Sequence, residues 1–166
     1  LNGKPFWLIV MAGKWHNTVV EVLRELCDEW VKNGLYKKVY DGNSDPIPIS
    51  YRKQTYYYQP DLYAVYSKNE KVDIFEVIDT ETEGEAVMDI VYSALTPRIN
   101  VLCVVCSDNS KLEAIRQHAR IILNKIFDEE KKSYNHIFRS KYFVYVPRTA
   151  KSAQAIKRLL KTQLEF

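Results

Sequence analysis

The stretch Pro60-Asp61-Leu62-Tyr63-Ala64-Val65-Tyr66-Ser67-Lys68-Asn69-Glu70-Lys71-Val72-Asp73-Ile74-Phe75-Glu76-Val77-Ile78-Asp79 decides how this chain is read. Two runs rich in Tyr, Val and Ile, 61–66 and 72–79, flank the polar segment 67–71, the pattern of two strands joined by a hairpin turn. Asp61 opens the first strand and Glu76 sits late in the second, so the hairpin brings them toward one end of the pair. Side chains alternate along a strand, so Glu76 shares a face with Ile74 and Ile78 while Asp79 points the other way. An acid among Ile74, Phe75, Val77 and Ile78 needs a reason, because burying an unpaired carboxylate is costly. For Asp61 the plain alternative is a turn residue, since Pro-Asp is ordinary turn chemistry.

Outward from that hairpin the elements are legible. Upstream, Asn17 or Thr18 is a good N-cap for a helix to about Asn33, with Val19, Val22, Leu23, Leu26, Cys27, Trp30 and Val31 at helical spacing. Gly34 is a plausible stop. Residues 40–48 carry turn chemistry and read as a loop, and 50–58 read as one Tyr-rich strand. Downstream, 81–95 form a helix with acids in its first turn and Pro97 beyond its end. The continuous apolar run 99–106 reads as a strand buried on both faces. An amphipathic helix over 111–127, a strand over 142–147 and a last helix over 153–164 complete the chain. The order is α-β-β-β-α-β-α-β-α, without internal repeat or linker. It predicts a single α/β domain over 1–166, a mixed β-sheet flanked by helices. The chain opens on Leu1 rather than Met, so a piece of a longer protein is expected.

The element order and the Pro60-Asp61…Glu76 segment together resemble the PD-(D/E)XK nuclease superfamily, the restriction-endonuclease-like fold. The layout over roughly 17–106 is similar to archaeal Holliday-junction resolvases. The resemblance implies a metal-dependent DNA endonuclease in which Asp61 and Glu76 hold Mg²⁺ or Mn²⁺ and serve as catalytic residues. Phosphodiester hydrolysis suits that arrangement, because a hard cation activates water and absorbs charge on the phosphate. Mg²⁺ usually takes only one or two carboxylates and keeps several waters. In the resolvases the first helix often adds a third acid, here Glu21 or Glu25. Both otherwise read as solvated acids pairing with Arg24 or Lys32. The family's lysine stands two residues after the acid, and this chain has Ile78 there, which can neither donate a proton nor stabilise an anion. Lys53, on the Tyr-rich strand, is the candidate for the displaced base. A nuclease-fold module that has lost catalysis and binds nucleic acid or a partner protein is the alternative that Ile78 favours. An unrelated α/β interaction domain, with Asp61 and Glu76 structural, is the third.

Composition narrows the rest. Of 166 residues, 46% are hydrophobic and 27% charged, which excludes a disordered chain. The five glycines are isolated, so neither G-x-G-x-x-G nor a P-loop is present and nucleotide hydrolysis through such loops is excluded. No apolar run is long enough to cross a bilayer and no secretory leader is read, so a cytoplasmic, intracellular protein is expected. Cys103 and Cys106 match C-x-x-C, but three residues apart on a strand they face opposite ways and read as core cysteines. His16, His118 and His136 are scattered, and His16 reads as an exposed loop residue beside a helix N-terminus, a phosphate contact being the alternative. Asp79, Glu81, Glu83 and Glu85 read as helix N-terminal acids rather than as a second cation site.

The net charge of +3 hides an asymmetry: from Lys131 onward nine basic residues face Glu165 alone. Arg148, Lys151, Lys157 and Lys161 are therefore candidate phosphate contacts, a solvated helix face being the competitor. Arg52 and Lys53 stand among Tyr51, Tyr56, Tyr57 and Tyr58, a basic and aromatic mixture suited to unpaired bases. DNA is the expected partner. A homodimer or larger DNA-processing assembly is the further expectation, with Tyr134, Phe138 and Tyr142 as candidate exposed aromatics.

Overall fold

The computed structural model describes residues 6–126, 134 and 136–164. Helix α1 (Phe6–Lys32) leads to β1 (Tyr36–Asp41), β2 (Ile47–Tyr51), β3 (Gln54–Tyr58), β4 (Leu62–Tyr66) and β5 (Val72–Ile78). Then follow α2 (Glu83–Ala94), β6 (Ile99–Cys106), α3 (Asn109–Ile126), β7 (Phe143–Tyr145) and α4 (Ala153–Gln163). The protein is mixed α/β. A five-stranded sheet in the order β1-β4-β5-β6-β7 is accompanied by a separate two-stranded ribbon, β2-β3. β1, β4 and β5 run antiparallel in turn, and β5, β6 and β7 run parallel. Among the described residues no helix is long and apolar enough to cross a membrane.

The sheet divides the interior by strand alternation. Along β6, Val101, Cys103 and Val105 join one core with Leu23, Leu26 and Cys27 of α1 and Ile156 and Leu160 of α4. Leu102, Val104 and Cys106 join the other, with Ala86 and Ile90 of α2, Leu112, Ile115 and Ala119 of α3, and Ile47, Ile49 and Tyr58 of the ribbon. Helices thus cover both faces, which is why β5 and β6 can be apolar almost throughout. Cys103 and Cys106 fall in different cores, as their spacing predicts, and neither they nor Cys27 form a disulfide.

Several boundaries differ from the sequence reading for physical reasons. α1 passes straight through Asn17 and Thr18 from Phe6, so neither caps it; the Thr18 hydroxyl instead bonds back to the Lys14 carbonyl within the helix. The strand expected at 50–58 folds back on itself. Arg52 and Lys53 make a two-residue turn with φ of 46° and 69°, and Ile47 pairs with Tyr58. Five strands therefore stand between the first two helices where three were expected. The stop at Gly34 agrees with its φ of 80°. At α2, Thr82 and Glu85 form a reciprocal capping box, so Glu85 serves the helix terminus as expected of that acid run. Tyr134, Phe138 and Tyr142 are buried, which removes them as a dimer surface. Phe127, Lys131, Lys132 and Glu165 lie outside the described residues.

One carboxylate is structural. Asp73, on the α1 face of β5, is fully buried and takes hydrogen bonds from the Tyr36 hydroxyl (2.7 Å), the Asn100 amide (3.0 Å) and the Val101 N–H (3.0 Å). Burial raises its pKa, and these donors hold the rise in check.

Candidate functional site

The start of β4 and the end of β5 lie side by side because the two strands are antiparallel, with Leu62 opposite Phe75. One residue further along that register, Asp61 stands opposite Glu76. The two are tied reciprocally. The Glu76 carboxylate accepts the main-chain N–H of Asp61, and Asp61 Oδ2 accepts the Val77 N–H at 2.8 Å. Gly42 holds this corner from behind. A Cβ there would come within 1.9 Å of the Pro60 carbonyl oxygen, so any larger residue would push Pro60, and Asp61 with it, out of place.

Each carboxylate has a further neighbour. His16 of α1 places Nε2 3.3 Å from Asp61 Oδ1, and that contact raises the His16 pKa despite partial burial. Glu76, 7% exposed, lies 3.4 Å from the Ser93 hydroxyl of α2, which also donates to the Asp89 carbonyl at 2.8 Å and pairs with the Tyr58 hydroxyl at 2.6 Å. The pKa of Glu76 is driven well above the carboxylate range, first by burial and then by the charge of Asp89. Asp89, on α2, is itself pushed up to about 6 by burial and by the charges of Glu81, Asp61 and Glu85. The corner is a cluster of mutually repelling, partly desolvated acids, the arrangement in which functional sites concentrate.

A divalent cation suits this donor set in number and type, though not as a closed cage. Among the described residues no group of three or more His, Cys, Asp or Glu is arranged to hold a metal ion. Asp61 and Glu76 offer two hard oxygen donors, the number Mg²⁺ commonly takes from protein while retaining water. The repulsion that adds to burial in raising Glu76 and Asp89 is of the sign a bound cation would relieve.

The other residues singled out in the sequence fall elsewhere. Glu25 is nine residues beyond His16, half a turn of helix phase away, and pairs with Lys157 of α4 at 2.9 Å. Glu21 is exposed and five residues from His16, also off the face that reaches Asp61. The α1 residue at the corner is His16, which lies within the helix rather than in a loop. Lys53 sits at the ribbon's turn, about 16 Å of strand from Tyr58. Ile78 is buried in the α2-side core. Among the basic residues, Lys157 also bonds Glu29, as does Lys161, both at 2.9 Å. Arg148 donates from Nε to Asp79 Oδ1 at 2.7 Å, beside the Ser107 hydroxyl. Lys151 is exposed. Arg148, Lys157 and Lys161 are thus matched to acids of α1 and to Asp79 just beyond β5.

Asp89 and Ser93 are corner residues that the sequence reading leaves out, and His16 is one that it places in a loop. Asp89 and Ser93 carried a usable signal: four apart on α2, they form a polar stripe flanked by the buried Val87, Ile90, Val91 and Ala94. His16 carried none, because only the tertiary fold brings it to Asp61.

Comparison of the chain with protein-family models, with curated proteins and with solved structures finds no match. The fold and the corner therefore define it as a mixed α/β protein with a carboxylate cluster where β4 begins and β5 ends.

Proposed function

We propose that this chain is a restriction-endonuclease-like domain that hydrolyses phosphodiester bonds of DNA with Mg²⁺ or Mn²⁺ held by Asp61 and Glu76. The observation that carries the reading is the apposition of those two acids where β4 begins and β5 ends, in a corner where burial first, and neighbouring acids second, raise Glu76 and Asp89. An antiparallel meander that passes through α2 into parallel strands, helices on both faces, supports the fold assignment. When bound, the cation would supply an activated water and stabilise charge on the scissile phosphate. The chain's own part is positioning: the Val77 N–H and His16 orient Asp61, and Ser93 with the Asp61 N–H orients Glu76.

A second reading, a nuclease-fold module without catalysis that binds nucleic acid or a partner protein, is favoured by the buried Ile78 where the family carries lysine. Cleavage separates the two. Labelled linear, single-stranded and four-way-junction DNA would be incubated with Mg²⁺, Mn²⁺ or EDTA. Wild type is expected to cut only with metal, and Asp61→Ala is expected to lose about a hundredfold or more of that rate. Binding without cutting by wild type would favour the second reading. Lys53→Ala is expected to leave the cutting rate at saturating DNA nearly intact, because Lys53 stands at the ribbon's tip, away from the carboxylate corner.

A further inference from the structure

The β2-β3 ribbon is built in a way that its stability alone does not explain. Two-residue hairpin turns of this hand require left-handed backbone at both central positions and favour Asn-Gly. Here Arg52 and Lys53 occupy them, at φ of 46° and 69°. Long side chains bear a steric cost in that region, and backbone strain of this kind concentrates where function retains it. The turn thereby puts two positive charges side by side at the tip, with the Arg52 guanidinium 5.2 Å from the centre of the Tyr51 ring, and the ribbon from Ile47 to Tyr58 contains no Asp or Glu.

The ribbon has two unlike faces. The inner face sets Ile47, Ile49 and Tyr58 into the α2-side core, with the Tyr58 ring stacked on Tyr92 at 6.0 Å. Its base is joined to the carboxylate corner through the chain Tyr58–Ser93–Glu76. The outer face pairs Pro48 with Tyr57 and Ser50 with Thr55, all exposed, and Tyr57 is 70% exposed. Tyr57 and Lys53 are separated by about 13 Å of strand, the span of about four stacked nucleotides.

We infer that this ribbon is the arm that holds the single-stranded or unpaired portion of the nucleic acid, with Tyr57 stacking on a base and Arg52 and Lys53 contacting phosphates. An exposed aromatic beside a cationic track is how single strands are bound without sequence preference. Charge complementarity selects an anionic partner. The inference deepens the nuclease reading and rests on it for the class of ligand, but its test does not require cleavage.

The test measures fluorescence anisotropy of a labelled single-stranded oligonucleotide and its duplex in EDTA, over a salt series. The proteins are wild type, Arg52→Asn/Lys53→Gly and Tyr57→Ala. The double substitution installs the residues the turn prefers, so its melting temperature should hold or rise while single-strand affinity falls about tenfold or more. The slope of log affinity against log salt should shrink by about 1.4, for two lost phosphate contacts. Tyr57→Ala should weaken binding about fivefold to a hundredfold. Wild-type affinity in both ribbon variants would overturn the inference, as would equal preference for duplex or no binding by wild type. Ribbon-dependent binding without metal-dependent cutting would remove the nuclease reading and leave the arm. Cutting with ribbon-independent binding would do the reverse.

Discussion

In EDTA at pH 8, Glu76→Gln is expected to melt above the wild type, by about 3–8 °C for a gain of about 1–2 kcal/mol. The substitution keeps an oxygen acceptor for the Asp61 N–H and the Ser93 hydroxyl and removes a charge that burial and Asp89 both oppose. The pH dependence follows from the direction of the shift. A carboxyl whose pKa is raised on folding binds more protons in the folded state than in the unfolded state. Its ionisation therefore costs stability as pH rises above the ordinary carboxylate value, and the cost is complete above the raised value. The advantage of Glu76→Gln should be largest in alkaline buffer and should vanish toward pH 4, as differential melting across that range would reveal. A variant less stable than wild type at pH 8 would mean that the Glu76 charge is compensated within the fold, leaving no need for a cation.

Asp73→Ala is expected to have the opposite effect, a loss of about 3 kcal/mol or more and a fall of about 6–12 °C in melting temperature. Asp73 is as buried as Glu76 and lies three residues away on the same strand, yet its partners differ in kind. Tyr36, Asn100 and Val101 all donate to it, and removing it takes the acceptor from the buried Tyr36 hydroxyl, which keeps only Tyr66, and from the Val101 N–H. Chemical denaturation would measure the loss, and a change under 1 kcal/mol would refute the structural role. One strand thus carries two buried acids, one satisfied by donors and the other pressed by neighbouring acids. That contrast separates the scaffold from the candidate site.

The sequence was most informative where one physical requirement dominates. The eight-residue apolar run of β6 can only be a strand covered on both sides, and its expected bounds match the structure. Alternation along β5 correctly put Glu76 with Ile74 and Ile78, and away from Asp79, whose side chain meets Arg148 and Ser107 instead. The ribbon was missed because Arg-Lys is not turn chemistry, and a run with four tyrosines reads as uninterrupted strand. The start of α1 was misplaced because good capping residues at Asn17 and Thr18 are overridden when the helix continues upstream. Long-range electrostatics were least legible. Neither the Lys157 and Lys161 pairs with Glu25 and Glu29 nor the His16 contact with Asp61 leaves a local trace in the chain.

If Asp61 and Glu76 share a divalent cation, calorimetric titration of the protein with Mn²⁺ will detect it. Wild type is expected to bind at one saturable site and to release protons from the corner's raised carboxyls as it does so. Asp61→Asn and Glu76→Gln are each expected to lose that site while remaining folded. No saturable binding by wild type, or equal binding by both variants, would contradict the account.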